Sequence, residues 1–119
     1  MIRSLIVAFI AAGEIAAKRA VTVAQNNGAD YCAKVANIGD LVIGVSGIKT
    51  VADGKTADIT LAGIVPVVAG EDITAGDAVK VGANGVAMVG ETGDLCFGIA
   101  HTNASEGADV FVLLTSIRR

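Results

Sequence analysis

Aromatic and histidine side chains are scarce in this sequence of 119 residues, which has no tryptophan, one tyrosine, three phenylalanines and one histidine. A single histidine excludes any metal site that needs a pair of imidazole ligands. With so few rings, small side chains have to fill the interior. This favours a tight barrel or sandwich with closely spaced layers and little room for a large ligand.

Cysteine and clustered positive charge are also in short supply. Two cysteines, Cys32 and Cys96, are too few for a disulfide scaffold, so we interpret them as buried or half-buried strand residues in a reduced, cytosolic setting. A bridge between them is the alternative. The net charge is -3, and basic residues stand singly except in the pairs Lys18-Arg19 and Arg118-Arg119. Phosphate binding needs clustered basic residues, so nucleic acid is not expected as a direct partner.

The first twelve residues have two interpretations. Met1-Ile2-Arg3, followed by the apolar run Ser4 to Ala12, resembles a secretory signal. A similar run, Gly63 to Ala69, lies in mid-chain where a signal cannot be, so we interpret the first run as a buried strand. It is too short to span a membrane.

The stretch from Ala69 to Val89 contains a clear hairpin pattern. Gly70 to Asp77 is rich in turn-forming residues, Ala78 to Val81 is a short apolar strand, and Val86 to Val89 is a second one. Between them stands Gly82-Ala83-Asn84-Gly85, whose Asn-Gly pair suits the turns that join antiparallel strands. The stretch therefore predicts a hairpin with an acidic lead-in.

The same order of features occurs in the first half of the chain. Gly13 corresponds to Gly70, and the segment Ala20–Val23 corresponds to Ala78–Val81. Further along, Gly39-Asp40-Leu41 matches Gly93-Asp94-Leu95, and Ala57-Asp58-Ile59 matches Ala108-Asp109-Val110. We interpret residues 2–61 and 62–115 as two copies of one β-unit. Each copy alone is marginal in size, so we expect a single domain, 1–119, with a shared core.

Ala20 to Ala24 and Asp30 to Val35 are predicted to form the first hairpin. Further predicted strands flank it, namely Ile2 to Ala11, Leu41 to Val45 and Ala57 to Val68, the last split or bent at Gly63. Pro66 cannot donate a ladder hydrogen bond and is placed on an edge or at a bulge. Ile2 to Ala11 is continuously apolar, so we expect it to be covered on both faces or to lie against a neighbouring subunit. The predicted fold class is all-β, a small barrel or sandwich of two pseudo-repeated units.

No catalytic motif stands out. His101 follows a strand in a polar turn, and neither Cys32 nor Cys96 has a local cysteine-hydrolase signature. Gly44 to Thr50 contains the residue types of a phosphate loop in the wrong order, because Ile48 separates Gly47 from Lys49. We interpret the histidine as a surface residue and the thiols as packed side chains.

The loop carboxylates and the lysines show no functional pattern either. Glu71, Asp72 and Asp77 are too few and too irregularly spaced for a calcium loop, and they are interpreted as turn residues. A lipoyl or biotinyl carrier also has a repeated β-sandwich, but it carries its modified lysine at a hairpin tip, whereas Lys80 falls within a predicted strand. No catalytic, cofactor-binding or metal-binding residue is therefore assigned, and no cofactor is expected.

The second half of the chain resembles the capsid cement, or head decoration, proteins of tailed phages. The resemblance rests on Val67 to Val81 with its GEDITAGDAVKV run, on Gly82 to Ala87, on Gly98-Ile99-Ala100 and on Gly107 to Val112. It is clearest from Leu61 to Leu114 and extends through the internal copy to Ile2. It implies a non-enzymatic structural protein on the outer surface of the virion, made in the host cytoplasm. Such a protein binds the major capsid protein as a homo-oligomer, with a trimer favoured, and stabilises the capsid lattice.

The composition agrees with a partner-binding role. Apolar residues make up 53% of the sequence, more than one small core requires, and contact with partners would use the surplus. The apolar chain ends are the candidates for oligomer or capsid contacts, namely Ile2, Arg3, Leu5, Ile117, Arg118 and Arg119. The alternative functions are a small β-barrel binding or carrier module, and an enzyme that uses loop carboxylates and His101. No membrane partner is expected.

Overall fold

Strands dominate the computed structural model of this chain, which describes residues 5–24 and 32–118. The strands are β1 Leu5–Ala11, β2 Ala20–Ala24, β3 Cys32–Val35, β4 Gly44–Ser46, β5 Thr56–Ala62, β6 Ile64–Val68, β7 Ala78–Val81, β8 Ala87–Val89, β9 Leu95–Ala100 and β10 Asp109–Arg118. Within the described ranges the helical content is one 3₁₀ turn, Ala83–Gly85. No helical segment there has the length and hydropathy to cross a membrane. The all-β prediction is confirmed.

Strands β1 to β5 form a closed barrel, here called the first barrel, in the order β1-β3-β2-β4-β5. All its pairs are antiparallel except β1 with β3, where Ile10 lies opposite Cys32 and Ala11 opposite Ala33. Alternate strand residues point inward, so the interior is filled mainly by small and branched side chains, with one phenyl ring among them. These are Phe9, Ala11, Ile15, Val21, Ala33, Ala57 and Ile59. The predicted tight barrel with a small-residue core is confirmed for this half.

Strands β6 to β10 form a second sheet in the order β6-β10-β9-β7-β8. Its edge strands β6 and β8 meet only at an isolated bridge between Ala69 and Ala87. Pro66 lies in β6, where the missing N–H does least harm, and Gly63 separates β5 from β6. Both placements agree with the sequence analysis.

The two halves share a pattern of strand pairing. The pairs β2–β3, β2–β4, β4–β5 and β1–β5 of the first barrel recur as β7–β8, β7–β9, β9–β10 and β6–β10 of the second sheet. The bridge between Ile15 and Val51 likewise recurs between Ile73 and Ala104. This correspondence supports the internal duplication, which stays a prediction.

Strand register corrects two of the predicted equivalences. Asp58 lies opposite Ala8 in β1, and Phe111 lies opposite Pro66 in β6, so Asp58 corresponds to Phe111 rather than to Asp109. The Gly13 equivalence also shifts by one residue, because the closing hydrogen bonds start from Ala12 N–H in one half and Gly70 N–H in the other. Small residues resemble one another in sequence, so similarity alone could not determine the register between the two halves. Side-chain burial determines it.

Two predicted strands have different bounds. Leu41 to Val45 was predicted, but β4 is Gly44–Ser46, because Val42 leaves the ladder to pack against the core of the second sheet. The first predicted strand begins outside the described residues and continues as β1. Within this chain it is not covered on both faces, since Leu5 is 55% exposed and Ile6 is 56% exposed.

Residues of the third predicted strand also fall partly outside the description. Of Asp30 to Val35, the structure describes β3, Cys32–Val35, and it pairs antiparallel with β2 as the predicted first hairpin requires. In the second hairpin, Val81 pairs with Ala87. Asn84 and Gly85 both have positive φ, as an Asn-Gly turn demands.

One turn geometry recurs three times, at Asn37 to Asp40, Thr74 to Asp77 and Glu91 to Asp94. In each, the aspartate N–H donates to the first residue's carbonyl, and the aspartate carboxylate accepts the first residue's N–H. The third residue is a glycine with a φ between 88° and 95°, the conformation that this position of a type II turn requires. The interpretation of Asp77 as a turn residue agrees with this geometry, and Asp40 and Asp94 have the same role.

The first barrel fills the gap that β6 and β8 leave in the second sheet. Ala20, Ala36 and Val45 of the first barrel belong to the same buried cluster as the inward residues of β6 to β10. Gly85 lies so close to the first barrel that a Cβ there would stand 2.6 Å from the carbonyl oxygen of Ala20. The second sheet therefore completes its core with side chains from the other half, which supports the prediction of one domain.

Polar contacts line this seam on both sides. Val68 N–H donates to the carbonyl of Lys18 at 3.0 Å, and the Lys18 ammonium contacts the Asp109 carboxylate at 2.8 Å. Asn84 N–H donates to Asn37 Oδ1 at 2.9 Å, and Arg19 donates to the Asn84 carbonyl at 3.0 Å. Lys18 holds a φ of 56°, which is unfavourable for a residue with a side chain. The contacts of its backbone and ammonium with β6 and β10 offset that cost.

Close strand packing makes Gly98 intolerant of a side chain. A Cβ at Gly98 would clash with Val112 Cγ1 and stand 2.5 Å from the Leu113 carbonyl oxygen. We expect Gly98→Ala to lower the free energy of unfolding by about 1–3 kcal/mol, the usual cost of overpacking. The control is Gly47→Ala, whose Cβ would meet nothing nearer than 3.7 Å. Urea denaturation measures both, and equal stability of the two variants would contradict the packing described.

Candidate interaction surfaces

The residues considered for catalysis do not form a common site. His101 is exposed in the segment after β9, with its backbone N–H bonded to the Phe111 carbonyl. Cys32 and Cys96 are both buried, one in the first barrel and the other in the second sheet. In the described residues no three metal-ligating side chains come together. The structure therefore brings none of these groups into a reactive constellation.

The loop carboxylates bind backbone amides. Glu71 Oε2 accepts the N–H of Val89 at 2.9 Å, Asp72 accepts that of Glu106 at 3.0 Å, and Asp53 accepts that of Gly13 at 2.8 Å. Glu71 differs from the other two, because it contacts the edge of β8 that has no strand partner. Its carboxylate takes over a ladder bond where the second sheet is left open.

Large apolar side chains remain on the surface. Those at least 45% exposed among the described residues are Leu5, Ile6, Val23, Ile38, Leu41, Ile48, Leu95 and Phe111. Single exposed apolar residues are normal on a soluble protein, but grouped ones mark contact sites. The positions of the eight relative to the grooves therefore decide their interpretation.

The first group lines a groove of about 600 Å³ that we call the loop groove. Its walls are the Asn37 to Asp40 turn on one side and the β7–β8 hairpin on the other, and its apolar lining is Ile38, Val81, Val86, Met88 and Leu95. Ile38 is 77% exposed at the tip of the turn. The neighbouring Leu41, 67% exposed, continues the apolar surface toward Leu95.

The second group lines a groove of about 460 Å³ that we call the strand groove. It lies on the outside of the first barrel, along β1 and β5. Ile6, Ile48 and Val51 supply its apolar lining, and Lys49 and Asp58 supply charge. Ile48 is 76% exposed.

An ion pair lies in the wall of the loop groove. The Lys80 ammonium contacts the Asp94 carboxylate at 3.0 Å, and the same carboxylate accepts the Glu91 N–H at 2.9 Å. The backbone N–H, followed by the ammonium, lowers the pKa of Asp94, and the bond to Asp94 raises the pKa of Lys80. Lys80 is held in β7 and not at a hairpin tip, so it does not have the position of a carrier's modified lysine.

Of the residues proposed from sequence as partner contacts, Leu5 is described and exposed. Ile2, Arg3 and Arg119 lie outside the described residues, as do the side chains of Ile117 and Arg118. Leu5 lies next to Ile6 of the strand groove and away from the loop groove. The grouping of Ile38, Leu41 and Leu95 was missed by the sequence analysis. The available signal was a large apolar residue isolated in a polar turn, at Ile38, and another directly after the turn, at Leu41.

The profile of the phage cement protein family matches residues 3–116. The chain belongs to the phage cement protein family. The resemblance noted from the sequence is thereby confirmed. This cement protein is a structural, capsid-associated component of a phage virion, and its family is not a class of enzymes.

A solved structure described as the head fiber gp8.5 N base in bacteriophage phi29 has a similar fold. The TM-score is 0.69 and the identity 23%, with 98% of this chain and 100% of that one covered. At this identity the likeness concerns the fold alone. A comparison with curated proteins gave no match.

The Lys80–Asp94 pair gives this cement protein a testable acid dependence. Because the pKa of Asp94 is lowered, its stabilising contribution is present above the unfolded value near 3.8 and is lost as the pH falls through the folded value. We expect Asp94→Asn to lower the melting temperature at pH 7, and the difference from wild type to shrink below pH 4. Lys80→Gln is the control and should reproduce only part of the effect, because the Glu91 N–H bond remains. A difference that is constant from pH 7 to pH 3 would contradict this assignment.

Proposed function

We propose that this cement protein binds the outer surface of the assembled phage head and stabilises the lattice of its major capsid protein. The observation that carries the proposal is the loop groove, where Ile38 and Leu95 expose apolar surface that the fold itself does not use, together with Leu41, which continues this surface beside the groove. Membership of the cement protein family supplies the setting. The subunit is made in the host cytoplasm and joins heads that have already assembled.

Many weak contacts are sufficient to hold a capsid lattice together in this way. Burying apolar surface gains about 25 cal/mol per Å², so a groove of this size contributes a modest affinity for each subunit. A subunit that contacts two neighbouring capsid proteins opposes their separation. Repeated over the lattice, modest contacts resist the outward pressure of packaged DNA. Direct contact with DNA is not part of the proposal, since the chain has a net charge of -3.

Self-association is the second part of the proposal, with a trimer favoured. An oligomer that engages several lattice sites at once gains avidity without any new contact. The terminal residues Ile2, Arg3, Leu5, Ile117, Arg118 and Arg119 are proposed as further contacts with neighbours. Of these, Leu5 is 55% exposed.

Binding to heads tests the role of the loop groove. We expect the double variant Ile38→Glu, Leu41→Glu to bind heads that lack this protein at least tenfold more weakly, because two charges would have to be desolvated against the capsid. The measurement is cosedimentation with such heads over a concentration series. Val23→Glu, at a 62% exposed position on β2 and away from the groove, is the control. Unchanged binding of the double variant would overturn the assignment of the groove.

The terminal contacts have a separate test. Reversal of three charges, in Arg3→Glu, Arg118→Glu and Arg119→Glu combined, should weaken head binding or reduce the oligomer, since salt bridges to acidic neighbours would become repulsive. Cosedimentation and light scattering read the two effects independently. If neither changes, the terminal contacts are wrong while the loop groove assignment stands.

A further inference from the structure

Part of the outward face of the first barrel is used for packing within the chain. Ala20, Val45 and Thr60 lie in one cross-strand row on β2, β4 and β5. Ala20 and Val45 are fully buried and belong to the cluster that fills the second sheet. The first barrel therefore uses Ala20 and Val45 of this row to pack against the second sheet.

The second sheet has the equivalent row, and there the row is partly exposed rather than buried. By strand pairing, the row is Ala78, Ile99 and Leu113 on β7, β9 and β10. Ile64 extends it on β6, and Pro66 and Phe111 form a second row beside it. All six are partly or fully exposed, with Phe111 at 45%. We call Ile64, Pro66, Ile99, Phe111 and Leu113 the outer apolar face.

The fold does not require apolar residues at these positions. The residues of the first barrel equivalent to Phe111 and Leu113 are Asp58 and Thr60, which occupy the same pairing positions on β5. Asp58 is exposed there. Since one half of the molecule has an exposed carboxylate where the other has a phenyl ring, folding does not require the ring at this position.

Charge identifies the surface that fits this face. The second half of the chain around it is acidic, with Lys80 as the one basic residue between positions 64 and 116 against Glu71, Asp72, Asp77, Glu91, Asp94, Glu106 and Asp109. Two such faces would repel each other. The first half of the chain is not acidic in this way, because up to position 63 it has six basic residues against five acidic ones. Its strand groove combines exposed Ile6 and Ile48 with Lys49 and Asp58, and Lys55 directly precedes its Thr56, so a second copy offers this face an apolar surface without an excess of negative charge.

We propose that the outer apolar face of one copy packs on the strand groove of a second copy. The contact is heterologous, so each copy offers its face to one neighbour and its groove to another, and a ring closes if the rotation allows it. This inference rests on the self-association proposed above and names the surfaces that form it. It also uses Ile99 and Leu113 from the row equivalent to the one on β2 and β4 that docks against the other half within the chain.

Two single variants and their mixture test the contact. Phe111→Asp places on β10 the residue type that the first barrel has at the equivalent position, so the fold tolerates it. Ile48→Glu changes only the groove, and Val23→Glu is the exposed control. Sedimentation velocity should show an oligomer for wild type and the control, and a monomer for each test variant, with at least tenfold weaker association. An equimolar mixture of the two test variants should form a dimer, because one intact face meets one intact groove.

Other outcomes overturn the proposal. A wild-type monomer at all concentrations removes the contact altogether. A monomeric Phe111→Asp with an unaffected Ile48→Glu, or a mixture that stays monomeric, means that the face pairs with something other than the groove. An oligomeric Phe111→Asp that no longer binds heads assigns the face to the capsid. Cosedimentation of the same variants separates this failure from failure of the proposed function, since loss of the oligomer need not abolish head binding through the loop groove.

Discussion

The second sheet depends on the first barrel because its edge strands do not close. In the first barrel, β1 and β3 pair directly, and a complete ring of hydrogen bonds encloses a core of small side chains. In the second sheet, β6 and β8 meet at a single bridge, and Ala20 and Val45 of the other half fill the remaining gap. Small residues at this seam let the two backbones approach closely. Separating the halves would expose the core of the second sheet to water.

Several polar side chains in the described part of the chain maintain this arrangement. Three aspartates close turns of the same geometry, Glu71 replaces a missing strand partner of β8, and Lys18 joins the halves through Asp109. Groups committed to backbone hydrogen bonds have little freedom for proton transfer or metal binding. What remains for interaction is apolar surface with charges around it, which is suitable for a structural protein that works through contacts.

Much of the fold could be predicted from local patterns, and the rest depended on information that local patterns lack. The hairpin at Asn84, the break at Gly63 and the edge position of Pro66 follow from the conformational limits of asparagine, glycine and proline. The register between the halves did not, because many small residues align equally well and only burial separates them. The loop groove was missed because Ile38 and Leu41 meet Leu95 only through the tertiary fold. The stretch before β4 was wrongly predicted as strand, because the packing of Val42 against the second sheet cannot be recognised from the local sequence.

Cryo-microscopy of the mature phage head at side-chain resolution locates each subunit relative to its neighbours. We expect density for this protein on the outer capsid surface, with Ile38 and Leu41 against the major capsid protein and Phe111 against another copy of the chain. Subunits that sit inside the shell, or outside it with Ile38, Leu41 and Phe111 all facing solvent, would contradict both proposals.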